Sequence, residues 1–198
     1  ENNYKKLIDT SFNNKMGSLN KSDNLVIFWP ETAIFNLNHI YHYDIFKKLN
    51  NNLKENEYVI TGIFRNKDED YYNSISIIDR NLSVNFVYDK IHLVPFGEYI
   101  PFSNFLNFFG FNLLGLKKGQ ENQKIVKYKN LPKFSPLICY ESIFPGKFIK
   151  NKNEPVLLIN FTNDAWFGNT IGPYQHFVNS KFRAVEEGKH LIRVANTG

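Results

Sequence analysis

The sequence holds one cysteine and one methionine among 198 residues. A lone thiol closes no internal disulfide, so the fold must rest on its apolar core. Long hydrophobic runs are missing as well. No stretch of about 20 apolar residues is present to span a bilayer, and no signal peptide opens the chain, which taken alone therefore reads as soluble. The net charge is +5 and the pI about 9.1, yet dense basic tracts are absent. Lysines sit among asparagines, as in Lys47-Lys48-Leu49-Asn50-Asn51-Asn52, without the clustered cations and interleaved aromatics of a nucleic-acid surface. This argues against nucleic acid as a partner and leaves a weak attraction to an anionic membrane surface. His92, His176 and His190 do not stand at metal-ligand spacing with one another or with the cysteine, so no metal and no cofactor is implied.

What is present is 42% hydrophobic and 16% aromatic residues, enough for one globular domain with a substantial core. Residues 1–20 read as a weak helix with Tyr4, Leu7, Ile8 and Phe12 on one face. Leu25 to Trp29 is a continuous apolar run that reads as a buried strand closed by Pro30. Helical spacing follows over 41–53. Three strands are expected at 58–64, 73–78 and 83–88, then a non-periodic segment over 89–102 of the length that tends to be functional. Strands at 136–139, 156–161 and 190–195 and helices over 142–150 and 172–185 complete an alternating order, with Pro173 suited to a first helical turn. The order predicts an α/β sandwich with mixed sheets.

The single Cys139 ends the apolar run Pro136-Leu137-Ile138. A buried structural thiol is the ordinary reading of such a residue, but Glu31 and Lys90 also stand just past strand ends. If those strands were parallel neighbours, a nucleophile, a base and a cation would meet at one sheet edge. A carboxylate able to take the thiol proton and a lysine able to receive an oxyanion suit acyl transfer through a thioester.

The segments Trp29-Pro30-Glu31, Lys90-Ile91-His92-Leu93-Val94-Pro95-Phe96-Gly97-Glu98-Tyr99, Ile138-Cys139-Tyr140-Glu141 and Asn163-Asp164-Ala165-Trp166-Phe167-Gly168 resemble the nitrilase, or carbon-nitrogen hydrolase, superfamily. Within it they resemble the apolipoprotein N-acyltransferase family. The likeness runs in order from about residue 26 to 198. It implies an α-β-β-α sandwich in which Glu31 is the general base, Lys90 the oxyanion stabiliser and Cys139 the nucleophile. Glu98, Tyr140 and Glu141 match supporting positions, and Trp166 matches a loop tryptophan near the substrate mouth. It implies a phospholipid acyl donor, a diacylglyceryl-cysteine lipoprotein acceptor, and a catalytic domain on the periplasmic side of a bacterial inner membrane.

The uncharged stretch 102–116, with Phe105 and Phe108, reads either as a core helix or as a lid that guides acyl chains to the cysteine. Relative to the whole family, the amino-terminal membrane helices, a first strand, the carboxy-terminal end and a final membrane helix are expected to be missing, as in a piece of a longer protein. Two other readings stand beside this one: a soluble amidase using the same thioester, and a non-catalytic remnant of a split gene.

Overall fold

The structure, a computed structural model, describes residues 2–13, 25–42, 44–100, 115–120, 125–147 and 157–197. Two sheets lie face to face. The first has strand order β1-β2-β3-β4, formed by Val26–Ile34, Tyr58–Lys67, Asp70–Ile78 and Val84–Asp89. β1 and β2 are parallel, and the other two pairs are antiparallel. The second is an all-parallel sheet of β5 (Phe134–Ile138), β6 (Leu157–Thr162) and β7 (His190–Ala195).

Alternation along the strands supplies the layers, because successive side chains point to opposite faces. Tyr58, Ile60, Ile75, Ile77 and Tyr88 of the first sheet meet Phe134, Ile138, Ile159 and Phe161 of the second in one buried cluster. On the outer face of the first sheet, Ile27, Trp29, Ile34, Val59, Ile63 and Ile78 pack against Tyr4 and Ile8 of α1 (Asn2–Asn13). Each such fully buried side chain contributes about 1.5–3 kcal/mol. The fourth layer is α4 (Gly172–Glu187), which has Pro173 in its first turn and ends at the left-handed Gly188. Its polarity is reversed for a surface helix: His176, Ser180 and Arg183 are buried while Tyr174, Phe177, Val178, Phe182 and Val185 are exposed. The expected α-β-β-α sandwich is therefore observed. Among the described residues no helix is long and apolar enough to cross a membrane.

Several expected elements differ. β1 does not stop at Pro30 but runs on to Ile34, because the proline lies where pairing with β2 skips between Trp29 and Ile34 and no ladder N–H is needed. The helix expected over 41–53 is three short pieces: α2 (His39–His42), a 3-10 turn (Asp44–Phe46) and α3 (Lys47–Asn52). Each is anchored by its own buried residue, respectively Ile40, Phe46 and Leu49. After Cys139 the chain makes only a 3-10 turn to Ile143, since Phe144 precedes Pro145 and is extended. The last three residues of the helix expected over 142–150 lie outside the described residues, as do Phe105, Phe108 and nearly all of the stretch 102–116.

The irregular turn of β1 around Glu31 depends on its neighbour. A Cβ on Gly62 would lie 2.5 Å from the Glu31 Cα, the Pro30 oxygen and the Thr32 nitrogen. Gly62→Ala must therefore push the Glu31 backbone away, and a loss of about 1–3 kcal/mol is expected in urea unfolding.

Candidate active site

Each functional side chain sits where a strand gives way to irregular backbone. Glu31 occupies the irregular stretch of β1 beside Thr32, whose φ is 52°. Lys90 directly follows β4, and its N–H donates to the Asn73 carbonyl (2.9 Å). Cys139 directly follows β5 with φ 48°, a left-handed conformation that costs a non-glycine residue about 1–3 kcal/mol and persists only where its surroundings enforce it. The three residues thus come from two facing sheets, not from one sheet edge: β1 and β4 are the two edges of the first sheet, and β5 belongs to the second.

Lys90 is 1% exposed, and Glu31 is buried with it. The Lys90 ammonium donates to Glu98 Oε1 at 2.8 Å and lies 3.5 Å from Glu31 Oε1. Burial works against this cation, but the charges of Glu31, Glu98 and Cys139 outweigh it and hold the lysine pKa above its ordinary value. An ammonium has three hydrogens; among the described residues two carboxylates face this one. Asn73 joins the two acids, donating from Nδ2 to Glu31 Oε1 (2.7 Å) and Glu98 Oε1 (3.0 Å). The second Glu31 oxygen accepts from the Asn163 N–H (2.8 Å), and the second Glu98 oxygen from the Val94 N–H (2.8 Å). Asn73 escaped the sequence reading, because it is one of several polar residues in its strand, beside Ser74 and Ser76, and nothing local sets it apart.

Burial and then the Glu31 charge push the Cys139 thiol up to about 11, against the opposing pull of Lys90 and of a hydrogen bond with Thr162. At pH 7 only about one thiol in ten thousand would be ionised.

Glu141 plays a different part from Glu31 and Glu98. Fully buried, it accepts from the N–H groups of Ile91 (2.7 Å), His92 (3.0 Å) and Ile138 (2.8 Å), and from the Tyr88 hydroxyl. It therefore ties the residues after Lys90 to the residue before Cys139. Tyr140 packs edge-on against Phe144 and lines a cavity of about 500 Å³ with Ile91, Leu93, Pro95, Tyr99 and Leu116. Trp166 is 86% exposed, on the turn after Asn163, so it is not a core aromatic.

His176, which stands at no metal-ligand spacing from the cysteine in sequence, lies beside it in the fold. Donor atoms of Cys139, Asp164 and His176 fall within 4.8 Å of one another. That set could ligate an ion by its residue types, but Asp164 is already paired with Arg193 and with His176, and the other His176 nitrogen faces the Cys139 carbonyl. The donors fit a closed hydrogen-bond network better than a metal centre.

A family model described as carbon-nitrogen hydrolase matches residues 19–198. An apolipoprotein N-acyltransferase of Rhizobium rhizogenes is 43% identical over 184 residues, covering 87% of this chain and 34% of that protein. One from Rickettsia prowazekii is 43% identical over 199 residues, covering 94% and 40%. The chain thus spans roughly a third of the length of the first of these relatives and two-fifths of the second. Among solved structures, a carbon-nitrogen hydrolase from Helicobacter pylori superposes with TM-score 0.64 at 17% identity, covering 98% of this chain and 69% of that one. A CN-hydrolase superfamily protein from Xanthomonas campestris, with an arsenic adduct in its active site, gives 0.60 at 17% identity, with 98% and 68% covered. At such identities these two show the fold alone.

Two outcomes follow. Iodoacetamide labelling of the single thiol, read by intact mass, should rise with pH toward an inflection near pH 11. In Glu31→Gln the inflection should move down, because a charge that opposes the thiolate is gone; an unmoved inflection would contradict the placement of Glu31 beside the thiol. Burial also raises the Glu141 carboxyl from 4.5 to about 7. Between those values the folded chain holds a proton that the unfolded chain has released, so the stability owed to this group falls as pH rises through that window. Urea titrations should show the native chain losing stability from about pH 5 to 7 relative to Glu141→Gln.

Proposed function

The chain belongs to the carbon-nitrogen hydrolase family, and from that we propose that it is the catalytic domain of an apolipoprotein N-acyltransferase, with Cys139 as nucleophile, Glu31 as general base and Lys90 as oxyanion donor. The observation that carries the reading is the buried Lys90 held between Glu31 and Glu98, beside a thiol that is neutral at rest. The lipid substrate is supported by the curated relatives, near 40% identical and named for this activity. It is further supported by the largely apolar cavity flanked by Ile91, next to Lys90, and Tyr140, next to Cys139.

The Cys139 sulfur attacks the ester carbonyl of a phospholipid while Glu31 takes the thiol proton. The oxyanion forms against the Lys90 ammonium, a contact worth about 2.7–4 kcal/mol in comparable sites. Collapse breaks the ester C–O bond, and Glu31 returns the proton to the departing lysophospholipid. The amino group of a diacylglyceryl-cysteine lipoprotein then attacks the thioester and gives its proton to Glu31. That proton goes on to the leaving sulfur, and the amide product departs. Nothing is oxidised or reduced, and no cofactor is consumed. Glu98 and Asn73 keep Lys90 and Glu31 at their stations, and Trp166 borders the substrate mouth.

In this reading the domain is part of a longer protein of the bacterial inner membrane and works on the periplasmic side, where both substrates present their reactive groups at the lipid surface. The soluble-amidase alternative shares the same catalytic parts; its support is likeness of fold.

Incubation with phosphatidylethanolamine in detergent is expected to add one acyl mass to the chain, removable by hydroxylamine. Cys139→Ala should take up none, and Glu31→Gln should form the adduct at least about 100-fold more slowly. A folded native chain that never acquires the acyl mass would refute competence of this domain alone.

A further inference from the structure

The left-handed backbone of Cys139 requires an external restraint, and the structure shows where one comes from. Three side-chain donors converge on the Cys139 carbonyl oxygen: Ser142 Oγ at 3.1 Å, His176 Nε2 at 3.0 Å and Asn160 Nδ2 at 3.4 Å. A carbonyl only accepts, so His176 donates from Nε2. Its other nitrogen, Nδ1, faces Asp164 Oδ1 at 2.7 Å, which fixes the plane of the ring. Asp164 is in turn gripped by Arg193, whose guanidinium also donates to Asn160 Oδ1 (2.6 Å) and Ser180 Oγ (3.1 Å). Ser180 donates to Ser142 Oγ (3.2 Å). His176, Ser180, Asn160 and Asp164 are all buried. The inner face of α4 is polar because it faces the backbone of the cysteine turn.

We propose that His176 is a positioning residue for Cys139, with Asp164 and Arg193 orienting its ring so that Nε2–H holds the Cys139 carbonyl and keeps the sulfur turned toward Glu31 and Lys90. The inference rests on Cys139 being the nucleophile, and it adds to the Glu31, Lys90 and Cys139 set a second buried network acting through the backbone of the nucleophile. His176 touches neither substrate nor sulfur in this role. Release of the carbonyl lets the turn relax, and the thiol drifts from its base. A displacement of about 1 Å costs on the order of 100-fold in rate.

Two substitutions separate this role from simple space-filling. His176→Gln keeps a donor near the Nε2 position, whereas His176→Asn keeps one only near Nδ1. Each is compared with the native chain in three measurements: iodoacetamide labelling of Cys139, acyl-adduct formation from phosphatidylethanolamine, and the thermal melt. In His176→Asn both rates should fall by about 10–100-fold, with an unchanged half-saturating lipid concentration. His176→Gln should recover to within about threefold of native, with the two variants melting together. Equal losses in both variants, or no loss in His176→Asn, would overturn the proposal. Should His176→Asn fail to fold, Ser142→Ala, which removes one of the three donors, carries the test: labelling slowed at least about threefold supports it, and native-like labelling overturns it. Should the native chain take up no lipid acyl group, labelling alone decides the positioning role, and only the lipid reading falls.

Discussion

A lysine with 1% of its surface exposed is tolerable only because two carboxylates face it. An unpaired buried charge costs several kcal/mol, and it would shed its proton. Glu31 and Glu98 reverse that tendency and leave Lys90 firmly charged. Much of the site follows from this constraint. Burial first, and then the charge of Glu31, make the neighbouring thiol resist ionisation despite the nearby cation. Asn73 reduces the repulsion between the acids by donating to both.

The two sheets then have to bring their loops into register. Glu31 and Lys90 leave the first sheet at its two edges, and Cys139 leaves the second. Glu141 closes the gap between the sheets, binding N–H groups on the β4 side and the β5 side with one buried carboxylate. Burial raises its pKa to about 7 even though these donors favour the anion, so ionisation strengthens the individual hydrogen bonds but costs the fold the desolvation of a buried charge. Gly62 makes room for the bend of β1 at Glu31. Positions of this kind touch no substrate, yet they set distances on which the chemistry depends.

Much of the fold was legible in the residues. Apolar runs such as Leu157 to Phe161 mark strands buried on both faces, and Pro173 marks the first turn of α4. The catalytic candidates were legible through their place after strands and through ordered motifs. What escaped were features without a local signature. The passage of β1 through Pro30 depends on a skipped pairing with β2. The breakage of the 39–52 region follows from where the sheet's outer face offers room to Ile40, Phe46 and Leu49. Asn73 shares its strand with Ser74 and Ser76, and only Glu31 and Glu98, brought to it by the fold, give it a purpose.

By itself the sequence determined the alternation of strands and helices, hence an α/β sandwich, and the identity of the groups that follow the strands, because alternation, helix punctuation and residue chemistry are local. The tertiary structure alone decided that the three candidates come from opposing sheets, that the thiol is neutral, and that His176 faces the cysteine across 37 positions of chain. Each of these depends on desolvation and on charge or hydrogen-bond partners distant in sequence, quantities that exist only once the two sheets have closed on each other.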